Sequence, residues 1–110
     1  VPKPTEHGEI WWVDLDKRRP VVVVSRDDLR GHRHQTTVAA ITTTIRAILS
    51  EVPLDHRDGF AEACAINCDV LTTIAKSSLV WRVGRLSEGK LDALHDALAF
   101  SLQLPGRSSV

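Results

Sequence analysis

The sequence predicts a mostly β protein: a small, curled, largely antiparallel barrel of the SH3-like kind with one C-terminal α-helix. Three observations carry this. Between residues 8 and 86, short β-branched or alternating runs are separated by turn residues, enough for five to seven strands. Helical periodicity is confined to the end, where Leu91, Leu94, Leu98 and Leu102 recur on one face. The length of 110 residues suits one domain with a real core, and not two. That domain spans 1–110, with residues 1–7 and 105–110 expected as loose ends.

Taken in order, residues 8–15 (GEIWWVDL) alternate into a strand with Ile10, Trp12 and Asp14 on one face. Trp11 and Trp12 then point opposite ways, one into the core and the other to a surface or interface. Residues 16–19 read as a short turn and residues 21–25 as a second strand, making a hairpin. The unbroken valines of residues 21–24 imply a buried strand. Pro20 is expected to start that strand and not to lie inside it, which leaves Arg18 and Arg19 where loop becomes sheet. Residues 27–35 form a polar, Arg/His-rich loop. Residues 36–42 (TTVAAIT) make a third strand running into Thr42-Thr43-Thr44. Residues 50–54 make a short fourth, and Asp58-Gly59 marks a turn. Residues 63–69 and 71–74 read as two further strands, with a break at Lys76-Ser77-Ser78 before a last strand over residues 79–86. Ser87 is a plausible N-cap with Glu88 in the first helical turn, where the helix dipole favours it. The amphipathic helix runs about four turns and ends at Pro105-Gly106.

Composition narrows the function classes. Hydrophobic residues make up 43% and charged residues 25%, ordinary for a globular protein. No apolar run approaches the roughly 20 residues needed to span a bilayer. Residues 1–10 are polar and broken by proline, unlike a signal peptide, so a cytoplasmic protein without a membrane partner is expected. Net charge is zero, which argues against coating nucleic acid by bulk electrostatics. Between residues 17 and 34, however, Lys17, Arg18, Arg19, Arg26, Arg30 and Arg33 face only Asp27 and Asp28. A local basic site on a neutral protein fits this pattern, as does a solvated loop of scattered charge. Cys64 and Cys68 match neither CxxC nor a zinc set and read as small buried hydrophobes. His32 and His34 lack a carboxylate at ligand spacing, so no metal and no other cofactor is expected.

The ordered segments GEIWWVDL, RRPVVVVS, AITTTIR, EVPLD, NCDVLTTI and RVGRLS, then a Leu-spaced closing helix, resemble the MazF/PemK toxins. These are the ribonuclease halves of bacterial type II toxin–antitoxin pairs, and the resemblance runs from Gly8 to about Leu104. It implies a homodimer that cleaves single-stranded RNA sequence-selectively, without metal, as an mRNA interferase, and that a cognate antitoxin silences. By position, the family's catalytic arginine, which precedes the Pro of the R-P-V motif, is Arg19. Its catalytic hydroxyl, after the A-x-I segment, is Thr42. Most members carry a longer first hairpin loop. Here residues 14–20 are nearly the minimum connection, so recognition by that loop is expected to differ while Arg19 keeps its place.

The chemistry is consistent with this set. RNA supplies its own nucleophile, the 2′-OH, and its attack leaves a 2′,3′-cyclic phosphate and a 5′-hydroxyl. A fixed arginine aimed at developing phosphate charge lowers the barrier by about 3 kcal/mol or more. Thr42 can donate its hydroxyl proton to a non-bridging oxygen. The family resemblance implies an acid–base part for Arg19; a guanidinium pKa above about 12 favours charge stabilisation. Lys17 and Arg18 are candidates for flanking phosphates. Thr43, Thr44 and Arg46 either line the same cleft or serve as plain strand and turn residues. Arg26, Arg30, His32, Arg33 and His34 read as a solvated loop, with an RNA-facing lip as the alternative. Trp81 reads as packing or a dimer contact, and for Arg82 and Arg85 an RNA role and an ion pair stay open. The alternative function is a non-enzymatic toxin of the CcdB type that binds and poisons DNA gyrase. A third reading is a degenerate toxin that only binds antitoxin or RNA.

Overall fold

Six antiparallel strands form one curled sheet in the computed structural model, which describes residues 1–105. They are β1 (Glu9–Asp14), β2 (Arg18–Val23), β3 (Gln35–Thr42), β4 (Glu51–Leu54), β5 (Cys64–Ala75) and β6 (Leu79–Arg85), followed by α1 (Glu88–Leu102). Their spatial order is β4-β5-β3-β2-β1-β6. Mostly β with a closing helix is thus the observed class. Among the described residues no helix is long and apolar enough to cross a membrane.

Two core clusters explain the sequence pattern. Ile10, Val22, Ala39, Ile41, Ile66 and Cys68 meet Leu94 and Ala97 of α1 on one side of the sheet. Trp11, Val13, Val21, Val23, Val38, Ile74 and Leu79 pack on the other. The valine run of β2 is continuous because its alternate residues serve both clusters. Cys64 and Cys68 are buried and free, as small hydrophobes. Trp11 is the core tryptophan; Trp12 is half-buried and meets Trp81 at a ring-centroid distance of 5.8 Å.

Several expectations need correction. Pro20 lies inside β2, opposite Trp12 of β1. Pairing with β3 begins only at Val21↔Ala40, so at Pro20 the strand has no partner on its β3 side to miss an N–H. The turn is accordingly residues 15–17, because Asp14 already pairs with Arg18. The two strands expected over residues 63–74 are one strand, β5. It is irregular where Ala39↔Leu71 gives way to Ala40↔Asn67, and that bulge absorbs the polar Asp69 without ending the ladder. The Lys76-Ser77-Ser78 break is a 3₁₀ turn whose lysine is buried. Asp58-Gly59 closes a second such turn over His56–Asp58, begun by an Asp55 capping box and ended by Gly59 at φ 94°.

The N-terminal segment is tied to the body and to α1. Thr5 bridges Asp28 in the 25–34 loop, and the His7 N–H donates to Asp27 Oδ1. The His7 and His95 Nε2 atoms lie 2.8 Å apart, joining the N-terminal segment to α1. Gly31 sits at φ +66° against this segment, where a Cβ would come within 2.1 Å of the Pro2 carbonyl oxygen. Ser87 caps α1 by accepting the Lys90 N–H. Leu94 is the fully buried member of the leucine stripe and Leu102 is exposed; the helix closes on Gln103 in the left-handed conformation. The expected stop at Pro105-Gly106 falls largely beyond the described residues, as do residues 107–110.

Candidate active site

Arg19 and Thr42 come together through strand register. β2 and β3 pair as Val21↔Ala40, and two more residues of that register put Arg19 level with Thr42. The strands separate at this point, so both side chains sit where ladder gives way to open edge.

Each carries a free donor. The Arg19 Nε–H is buried and has no hydrogen-bond partner, while its outer nitrogen reaches Asp16 Oδ1 at a long 3.4 Å. Asp16 is 78% exposed, so that pair is weak and easily exchanged for a better anion. The Thr42 hydroxyl oxygen accepts the Thr44 N–H at 3.1 Å. Its one proton is therefore left to donate outward.

Thr42 also borders a recess of about 230 Å³ with mainly apolar walls. Trp12, Pro20, Ile41, Phe60 and Glu62 line it, together with Cys64. Its floor follows from the sheet: Trp81 pairs with Trp12, and Trp12 with Pro20. Strand alternation turns Arg19, and Thr42 level with it, to the opposite side from Pro20 and Ile41, so the recess and the Arg19–Thr42 side chains lie on the two faces of one strand end. Burial pushes the Cys64 thiol up, and the charges of Asp58, Glu62 and Asp55 add to this, so the thiol stays protonated and is a poor nucleophile.

The other candidates divide. Thr43 lines the recess, and Thr44 acts through its backbone on Thr42. Lys17 is exposed at the hairpin tip. Arg18 is exposed on the Trp81 side, its guanidinium 5.8 Å from the centroid of that ring. Arg46 is carried elsewhere: its N–H donates to Glu51 Oε1, and its charge helps hold the Asp69 carboxyl below the usual carboxylate range, after hydrogen bonds from Ser50 and Ser101. Arg82 and Arg85 resolve as ion pairs, with the buried Glu9 at 2.8 Å and Glu6 at 3.6 Å. The Arg/His loop is fastened rather than loose, since Asp28 accepts the His32 and Arg33 N–H groups. Phe60 and Glu62 escaped the sequence reading. The Asp58-Gly59 turn signalled that a loop entered β5, but nothing local showed that it would face Trp12. Among the described residues no cluster of three or more His, Cys, Asp or Glu side chains could hold a metal.

Comparison with known proteins adds to this geometry. Residues 6–102 match a family model described as PemK-like, MazF-like toxin of type II toxin–antitoxin system. Endoribonuclease MazF3 of Mycobacterium tuberculosis is 37% identical over 90 residues, covering 82% of this chain and 87% of the relative. The solved structure of the Mycobacterium tuberculosis toxin MazF-mt6 superposes with a TM-score of 0.83 at 35% identity, over 89% of this chain and 99% of that one. A mycobacterial endoribonuclease solved in complex with its cognate antitoxin gives 0.82 at 25% identity, over 93% and 98%.

Proposed function

The chain belongs to the PemK-like, MazF-like toxins of type II toxin–antitoxin systems, and on that premise we propose that Arg19 and Thr42 hold the phosphate at which it cuts single-stranded RNA. The protein is an endoribonuclease toxin with a cognate antitoxin as partner. The family match and a relative named as an endoribonuclease weigh against the gyrase-poisoning alternative.

The observation that carries the site assignment is the pair of uncommitted donors on adjoining strands, the Arg19 Nε–H and the Thr42 hydroxyl. Cleavage forms a bond from the substrate 2′-oxygen to phosphorus and breaks the bond to the 5′-oxygen. The 2′-OH gives up its proton, and the leaving oxygen gains one. The Arg19 guanidinium stabilises the charge that builds on the phosphoryl oxygens, and Thr42 donates to one of them. The products are a 2′,3′-cyclic phosphate and a 5′-hydroxyl. Lys17 and Arg18 hold flanking phosphates, Thr43 and Thr44 complete the Thr42 side, and Arg46 contributes at most to a distant phosphate. The active form is a metal-independent homodimer in the cytoplasm.

Purified protein is expected to cleave unstructured RNA in EDTA. Arg19→Ala and Thr42→Ala each remove that activity while circular dichroism and melting stay unchanged. Cleavage that persists in Arg19→Ala overturns the site, and a strict need for a divalent metal overturns the reaction class.

A further inference from the structure

The carboxylate that touches Arg19 comes from its own hairpin turn. Because Asp14 already pairs with Arg18, only residues 15–17 are left to turn the chain, and Asp16 ends up beside the Arg19 guanidinium. Asp16 Oδ1 accepts the Lys17 N–H at 3.0 Å and the Arg19 Nη2–H at 3.4 Å. On a guanidinium, the Nε–H and the Nη2–H beside it form one fork, a pair of donors that takes two oxygens of a single anion. In Arg19 the Nε prong is unmatched, and the Nη2 prong is covered by one oxygen at long range. We infer that Asp16 is a built-in competitor for the substrate phosphate: it holds one prong of the Arg19 fork in the free protein, is displaced when RNA binds, and thereby lowers RNA affinity. This rests on the ribonuclease reading above and deepens it.

Geometry, exposure and charge agree on displacement and not on a permanent pair. A carboxylate using both oxygens on the fork would be a strong, charge-assisted clamp. Asp16 brings one oxygen, and the Lys17 N–H shares it. The side chain is 78% exposed, so water readily replaces the contact when the carboxylate swings away. A phosphate group carries enough acceptor oxygens to fill both prongs, which makes it the better partner. Once displaced, the carboxylate stays on the same turn, close to the bound phosphate, and like charges at that range repel. Both effects weaken RNA binding. A carboxylate that served only to orient the guanidinium has the opposite signature, since its loss would leave Arg19 less well placed and binding weaker.

The test is Asp16→Asn in the full chain. The asparagine side-chain oxygen still accepts the Lys17 N–H, so the turn is kept while the charge is lost. KM for unstructured RNA in EDTA should fall by about fivefold, with no rise in kcat. The Kd for a 2′-O-methyl RNA, which lacks the nucleophile, should fall alike. Asp14→Asn removes another exposed charge from the same hairpin and should move both constants by less than about twofold, since charge acting only at a distance is screened. In an Arg19→Ala background, Asp16→Asn should no longer tighten binding. Unchanged KM and Kd in Asp16→Asn overturn the inference, as does an equal fall in Asp14→Asn. A raised KM with a lowered kcat overturns it too, and assigns Asp16 to orienting Arg19. In each of these cases cleavage by the unsubstituted protein leaves the ribonuclease reading standing. Absence of any cleavage by the unsubstituted protein overturns that reading itself, and this inference falls with it.

Discussion

Two basic side chains paired with aspartates, Arg19 with Asp16 and Lys76 with Asp28, have opposite fates in this molecule. The Lys76 ammonium is 2% exposed and lies 2.6 Å from Asp28 Oδ2. It also donates to the Lys3 carbonyl oxygen at 2.8 Å, so one charge joins β5's end, the 25–34 loop and the N-terminal segment. The Arg19 guanidinium is 37% exposed, 3.4 Å from a solvent-facing carboxylate, with a buried Nε–H left unmatched. A buried cation held by two short hydrogen bonds is structure. A half-exposed one with an unmatched donor is free to take another anion, which is the part proposed for Arg19. Local charge density does not separate the two; burial and the closeness of each partner do.

The largest expected effect is a double dissociation. Arg19→Ala should lower RNA cleavage by about 100-fold or more with little change in melting temperature. Lys76→Ala should do the reverse, lowering the melting temperature by more than about 5 °C while cleavage at a permissive temperature persists. Equal melting losses in both variants would end the distinction.

Acid provides the next contrast. The hydrogen bond from Lys76, with the Arg33 and His32 N–H groups, holds the Asp28 carboxyl well below the usual carboxylate range. A carboxyl depressed in the folded state stabilises fully above its unfolded pKa of about 4, and that contribution fades as pH falls further. Stability measured by denaturant melts should therefore drop below about pH 4, and Asp28→Asn should show a shallower drop. Asp55 and Asp69 are also depressed, so the dependence should be reduced and not erased.

The smallest effect concerns the hairpin tip. Arg18→Ala should reduce the salt dependence of RNA binding by about 0.7 in log–log slope, as loss of one single-strand phosphate contact requires. An unchanged slope would assign Arg18 to the Trp81 ring alone.

Much of this was legible in residue order. The hairpin, the Thr42 strand end, the buried cysteines and the Ser87 cap all follow from local rules that act over a few residues. Pro20 was misplaced because a strand's tolerance for proline depends on whether a third strand pairs there, and β3 does not. The break seen near Asp69 was a bulge because β3 holds the ladder together on either side of it. Lys76 looked like a polar turn residue; its partners, Lys3 and Asp28, are 73 and 48 positions away.

The sequence by itself determined most of the strands, the helix and the family, and through the family motif it named Arg19 and Thr42. Those properties depend on side-chain periodicity, turn chemistry and residue order, all of which are written along the chain. Only the tertiary structure decided which cations are spent and which are available, and that Phe60 and Glu62 face Trp12 across the Thr42 edge. The reason is that burial, hydrogen-bond partners and recess shape are set by groups far apart in sequence, brought together only when the sheet curls and the loops close over it.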